Sequence, residues 1–399
     1  MKLHEEGEVL ERLTEAIQPG PSELVSPREA SGRILRDDLF ATLANPPFDN
    51  SSVDGYALSS GDLTAGSVLR CQGEQSAGTD HRHRVSPGVT IRIFTGAPLP
   101  LETVAVAMQE DCRVREDGNV EIETDHQPGE NIRRRGADCC VGQLLAAGGT
   151  RLAPRHLALL ASQGIASLSL AQRPRVAIFS TGDELKSAGE PLLPGQIYES
   201  NLGMLCAMAT SWQAKVTAGA NLPDALETTT ETLHLAAAEH DFLVISGGVS
   251  VGERDFVKQA IRQAGGQLDL WRINLKPGKP FLFGRIGECF IFGLPGNPVS
   301  SFVTALLFVR HALLLFQGAS PAVLRLPTFA LPSGGRLVNE GSRPHYQRGE
   351  LREGRFHAPG LQQSHALASL ARSNALARLP GNSVVEKGEP LDVVLLDAW

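Results

Sequence analysis

Two segments of this chain set positive charge beside turn-forming backbone: Lys276-Pro277-Gly278-Lys279-Pro280, and the run Gly293 to Ser301, GLPGNPVSS. Arg272, Lys276 and Lys279 supply cations, and Pro277 and Pro280 restrict the backbone that carries the lysines. A lysine ammonium binds a compact oxyanion as a point charge. The flanking runs RINL and FLFG are too apolar for a freely solvated loop. Pro295 and Pro298 bracket Gly296-Asn297 ahead of an apolar run, which presents the first amides of a helix. That second segment reads equally as a structural turn or as a ligand loop.

Other loops carry complementary chemistry. Ser180-Thr181-Gly182-Asp183-Glu184 gathers two hydroxyls, a glycine and two carboxylates. It suits ligand hydroxyl or amino groups or a hydrated cation, and equally a plain turn with helix-capping acids. Ser246-Gly247-Gly248-Val249-Ser250-Val251-Gly252 follows the strand-like run DFLVIS. Its glycines let backbone N–H groups converge on a phosphate, although no GK[ST] closes it as a P-loop. Asp255 follows where a helix begins, a position that a dipole partner also fills. DNSSVDGYAL brings Asp49 and Asp54, whose Asp-Gly step also suits a hairpin turn. Thr95-Gly96 is silent by itself. Arg133, Arg134 and Arg135, followed by Asp138, form the strongest local basic run, ordinarily a solvated face.

The elements that must position these loops are legible in outline. Val9, Leu10, Leu13 and Ile17 share a face of a first helix ended by Pro19-Gly20. Ser26, Pro27 and Glu29 make a capping box that predicts a second helix. From Phe48 to about Val141, short runs punctuated by Gly, Pro and Asp predict a β-rich part, with strands at Val89 to Phe94, Val104 to Met108 and Val120 to Ile122. A helix is predicted over Pro154 to Gln163. From Arg175 to Gly318 strands and helices alternate, as in a parallel sheet with crossover helices, and a small β domain follows. In such a sheet ligands collect at the carboxyl ends of the strands.

Composition sets the outer limits. A chain of 399 residues exceeds one ordinary core. Its 37 basic and 44 acidic residues give a net charge of −7, which opposes non-specific binding to nucleic acid or anionic membrane. The charged, amphipathic start MKLHEEGEVLERL is unlike a signal or transit peptide, and Val299 to Phe316, interrupted by Arg310 and His311, reads as a buried helix rather than a membrane span. Six cysteines without a CxxC pair suggest reduced thiols in a cytoplasmic protein, with Cys139-Cys140 as small fillers.

Taken in order, FDNSSVDGYAL, IFTGAPLP, NIRRRGAD, FSTGDEL, ISGGVSVGERD, KPGKPFLFG and GLPGNPVSSF, with the tail SLARSNALARLP, resemble the MoeA family of molybdopterin molybdenumtransferases, which includes the gephyrin E domain. The resemblance implies a multidomain α/β and β fold. Its expected parts are an N-terminal helix over 1–21 on the α/β domain, a linking domain from 22–45 and 147–170, and a β-rich inserted domain over 46–146. A MogA/MoaB-like α/β domain with a parallel-rich sheet would span 171–318 and hold the active cleft, and a barrel-like β domain would span 319–399.

It also implies a reaction, insertion of molybdate into adenylylated molybdopterin with release of AMP, aided by Mg2+ or a similar divalent cation. A cytoplasmic homodimer is implied, in contact with the molybdopterin-adenylylating protein and with cofactor acceptors. By position, Asp54, Thr95, Glu184, Asp224 and Asp255 take catalytic roles, with Asp54, Asp224 and Asp255 as cation ligands. Arg133, Asp138, Thr181, Asp183, Arg272, Lys276, Lys279, Pro295 and Pro298 take substrate-binding roles, as do Ser246, Gly247, Gly248 and Ser250 toward phosphate. The chain departs from the family in Ala137, Cys139-Cys140, Arg272 and the strand ETVAVAMQED. The competing readings are a peptide-anchoring dimeric scaffold and an enzyme that inserts tungstate.

Overall fold

The computed structural model describes residues 3–249 and 256–396. By contact it comprises two units. One holds Met1–Asp37, Gly148–Ala153 and Ser167–Trp399; the other holds Asp38–Ala147 and Pro154–Ala166. The segments expected to form a linking domain are thus divided between the two units.

The first unit is built on a six-stranded sheet in the order Lys215–Ala218, Arg175–Ser180, Phe242–Ser246, Cys289–Leu294, Pro280–Ile286, Gln267–Arg272. Its first four strands run parallel and the last two antiparallel. The switch of direction has a local cause. Ile286 pairs with Cys289, so the connection is Gly287-Glu288, far shorter than a crossover requires, and Gly287 supplies the positive φ of 56° that the turn needs.

Alternation along each strand buries both faces. Val176, Ile178, Phe242, Val244 and Phe292 join one core; Ala177, Phe179, Leu243, Ile245 and Ile291 join the other. The first core also takes the helix Glu6–Ala16 through Val9 and Leu13, both fully buried. Glu6 on that helix accepts from the Tyr346 hydroxyl at 2.8 Å and pairs with Arg378 at 3.1 Å.

The apolar run after Pro298 is a continuous helix with a π-helical segment at Ala305–Val309 between Pro298–Thr304 and Arg310–Phe316. It is long and apolar enough to cross a membrane, yet 83% of it is buried in the protein. Phe281 packs on its Phe308 at 5.0 Å between ring centroids. It is a core helix, as its embedded Arg310 and His311 suggested.

Ser26 does cap, accepting from the Arg28 amide at 3.4 Å, but the expected second helix is a single 3-10 turn, Pro27–Glu29. The Ser31-Gly32 turn follows, with φ of 76° at Gly32, and Ile34 and Leu35 are then buried in succession as extended chain. A cap without an apolar stripe at helical spacing does not propagate. The chain ends in a five-stranded antiparallel sheet ordered Thr328–Pro332, Pro390–Leu395, Ala375–Leu379, His345–Arg352, Arg355–His357.

The second unit carries a six-stranded sheet in which Val68–Gln75 and Val89–Ile93 pair in parallel while every other pair is antiparallel. Ala105–Met108 and Val120–Ile122 are strands, and Pro154–Ser162 is a helix. Cys139 is buried beside Gln163, whereas Cys140 is exposed.

Candidate functional site

Three neighbouring parallel strands end level with one another. Ser180 lies beside Ser246, and Ser246 beside Leu294, so the TGDE, SGGV and GLPGNP loops leave the sheet along one edge. They enclose a cavity of about 600 Å³ whose walls include Thr181, Glu184, Gly248, Pro295 and Pro298. The glycines permit close approach between loops. A Cβ on Gly247, which has φ of 94°, would lie 2.6 Å from the Thr181 hydroxyl.

The Gly247 amide donates to the Leu294 carbonyl at 3.0 Å and so is not available to a phosphate. The phosphate cradle read from the sequence therefore rests on Gly248 onward, and Ser250 and Asp255 lie outside the described residues. At the other side of the TGDE loop, the Asp224 amide donates to the Asp183 carboxylate at 3.2 Å, and Asn221 holds the Gly182 carbonyl at 2.7 Å. Asp183, Glu184 and Asp224 are exposed, and they make this rim acidic.

A second cavity, of about 530 Å³, shares Pro280, Asn297, Ser300 and His365 with the first. Lys276, Lys279 and Arg343 line it, together with Ser364, and among the described residues no carboxylate does. The lysines owe their placement to a distant strand. The Lys276 amide donates to the Pro344 carbonyl and its carbonyl accepts from the Tyr346 amide, both at 2.8 Å, while Arg343 donates to the Leu275 carbonyl at 2.7 Å. Buried Gly278 lets the KPGKP turn lie against Thr304 of the long helix.

The opposite wall, residues 361–364, is held by Arg348. This fully buried guanidinium donates to the Leu361 and Gln363 carbonyls at 2.7 and 3.1 Å, and its Nε and Nη1 have no partner among the described residues. Burial lowers its pKa. Three lining cations, with a fourth just behind, make a strongly positive recess of the size a small oxyanion fills.

His345 sits among these cations. It is 3% exposed, and burial together with Lys276, Arg348 and Arg343 pushes its pKa down to about 4. An unfolded histidine titrates near about 6.5, so between those values the unfolded chain takes up a proton that the folded chain refuses. The stability from this group is complete above about pH 6.5 and is lost as the pH falls toward 4. Thermal midpoints measured across that window are expected to fall more steeply for the wild type than for His345→Gln, by the equivalent of about 2 to 3 kcal/mol. Parallel curves would contradict a buried neutral ring.

The remaining sequence-predicted residues fall elsewhere. Arg272 ends its strand opposite Pro280, and its side chain lines neither cavity. In the second unit, Asp54 accepts from both the amide and the hydroxyl of Thr95 at 2.7 Å, and these bonds hold its carboxyl below the usual range. Ser51 joins this loop to the Arg133 strand, since it bonds Gly96 and pairs with Ile132. Asp138 accepts from Asn45 at 2.8 Å, and Asp49 pairs with Arg134 at 2.7 Å. Among the described residues no cluster of three or more His, Cys, Asp or Glu side chains could hold a metal ion. Sequence reasoning missed Ser364 and His365, for which the polar run Gln362 to His365 was the available signal, and Arg343, which had none, and also Glu199 and Asn201 on the wall of the first cavity.

Comparison with known proteins identifies the family and the fold. Family profiles match in order: the MoeA N-terminal region (domain I and II) over residues 5–164, the probable molybdopterin binding domain over 177–314, and the MoeA C-terminal region (domain IV) over 331–396. The Haemophilus influenzae molybdopterin molybdenumtransferase is 36% identical over 361 residues, which is 89% of each chain. The Nostoc molybdopterin molybdenumtransferase is 35% identical over 94% of this chain and 88% of its own. The crystal structure of the molybdopterin biosynthesis MoeA protein from Pyrococcus horikoshii OT3 superimposes with a TM-score of 0.85 at 30% identity, covering 99% of this chain and 100% of that one. The chain therefore belongs to the MoeA family of molybdopterin molybdenumtransferases.

Proposed function

We propose that this chain is a molybdopterin molybdenumtransferase, taking adenylylated molybdopterin and molybdate, placing the metal in the dithiolene and releasing AMP. The observation that carries the reading is the pair of cavities with a common wall, one bordered by a glycine loop and an acidic rim, the other by Lys276, Lys279 and Arg343. Molybdate is a compact dianion, which suits the second cavity. The first cavity takes the nucleotide-linked pterin, with Gly248 approaching the phosphates and Thr181 and Ser246 offering hydroxyls. Arg272, which does not line the recess, gives its expected place in the anion grip to Arg343.

Magnesium binds through one or two carboxylates, with substrate phosphate and water completing its shell. Asp183 and Asp224, adjacent at the rim, fit that pattern and would hold the cation. When bound it would offset charge on the phosphoanhydride as AMP departs. The rest of the assignment follows family membership: a cytoplasmic homodimer that receives its substrate from the adenylylating protein and passes the finished cofactor to acceptor enzymes, with Asp54 and Thr95 serving the neighbouring subunit's cleft.

The test is AMP release by purified protein given adenylylated molybdopterin, magnesium and molybdate. Molybdate-dependent release with formation of metal-loaded cofactor is expected. Release no greater than a protein-free blank would overturn the assignment.

A further inference from the structure

We infer that Asn201 is a positioning residue for this reaction, fixing the Ser246 hydroxyl and the Gly296 carbonyl in the one alignment that the nucleotide-bearing half of the substrate requires. The inference rests on the reading of the first cavity as the nucleotide-linked site. Asn201 opens the helix Asn201–Ser211 and is 7% exposed. Its Nδ2 spends both hydrogens between two different loops, donating to Ser246 Oγ at 2.8 Å and to the Gly296 carbonyl at 2.7 Å. Swapping amide oxygen and nitrogen would set two oxygens against each other at Gly296, so the orientation is determined by its partners.

The residue is itself held from a third loop. Glu199 Oε1 accepts from the Asn201 and Leu202 amides at 2.7 and 2.8 Å, and from Ser180 Oγ at 2.9 Å. Glu199 therefore caps the helix through its backbone N–H groups, which leaves the Asn201 side-chain amide for another task. Ser180 and Ser246 end two adjacent strands and Gly296 lies two residues past Leu294, the end of the third, and this one pair of side chains ties all three together.

Asn201 Oδ1 is buried without a partner among the described residues. A buried acceptor left unpaired is unfavourable, and a position that served stability alone would do better with a side chain free of it. The chain keeps the amide for its two donors, and those donors end on cavity walls.

The test uses full-length protein in the AMP-release assay, with thermal midpoint and AMP affinity as further readouts. Asn201→Ala should lower AMP affinity and turnover by about tenfold each, while the molybdate concentration for half-maximal activity stays within about twofold, because the Lys276 recess does not depend on this residue. Asn201→Asp keeps the shape but cannot donate to the Gly296 carbonyl, and it should lose at least as much; it carries the test if the alanine variant melts early. Wild-type turnover and AMP affinity in both variants would overturn the positioning role. So would nucleotide and molybdate dependence failing together with the thermal midpoint, the signature of a merely structural residue. A wild-type protein that neither binds AMP nor releases it would overturn the reading of the cavity, a result distinct from both.

Discussion

Lys276→Ala raises the molybdate concentration needed for half-maximal AMP release by about ten- to a hundredfold, while AMP affinity stays within about twofold. The magnitude follows from the loss of one charge-assisted contact to a dianion, about 1.5 to 3 kcal/mol. The selectivity follows from geometry. Lys276 lines only the positive recess, and its backbone is anchored to Pro344 and Tyr346 rather than to the TGDE or SGGV loops. Arg343→Ala is expected to repeat the effect, since Arg343 lines the same recess. Titration of molybdate at saturating nucleotide, with AMP binding measured separately, checks both. Equal losses in the two measurements would mean that the cavities are not divided as described.

Gly278→Ala is expected to cost about 2 to 5 kcal/mol of stability and to abolish saturable molybdate dependence. Gly278 has φ of 119°, a conformation that a side chain strains, and a Cβ there would lie 2.6 Å from Thr304 Cγ2. The turn cannot move away cheaply. Pro277 is buried, the long helix behind Thr304 is core, and Lys276 is bonded on both sides to Pro344 and Tyr346 at the start of the His345–Arg352 strand. Relief would displace Lys276 and Lys279, the two lysines the turn exists to present. Adding Thr304→Ser removes the colliding methyl and keeps a hydroxyl able to bond the Ser300 carbonyl. Part of the lost thermal midpoint should return in the double variant, leaving the backbone strain. A single variant as stable and as responsive to molybdate as the wild type would contradict the packing account.

The loops were legible because glycine and proline interrupt strongly apolar runs. TGDE, SGGV, KPGKP and GLPGNP each follow or precede a buried strand, and three of them leave one sheet edge together. Seven ordered motifs also carried the family resemblance, which the profiles and relatives bear out. What the sequence could not show arises where separate segments meet. Arg343 reaches the lysine recess only because His345 bridges to Lys276, a pairing without local signal. Arg272 was grouped with the lysines by proximity in the chain, but its side chain lines neither cavity, and sequence spacing alone does not reveal which way a strand-end side chain points. Asn201 lay off the apolar face of its helix and drew no attention, though its value lies in bonds to residues 45 and 95 positions away. The capping box at Ser26 was a true cap on a turn that had no apolar face to extend.

The most direct test of the central claim, that two adjoining cavities divide oxyanion from nucleotide, is a crystal structure of the protein soaked with AMP and molybdate and phased to locate molybdenum by anomalous scattering. The account predicts one strong peak among Lys276, Lys279 and Arg343, with the nucleotide phosphate beside Gly248 across the shared wall at Ser300 and Asn297. Molybdenum beside the TGDE loop, or AMP phosphate seated among the lysines, would contradict it.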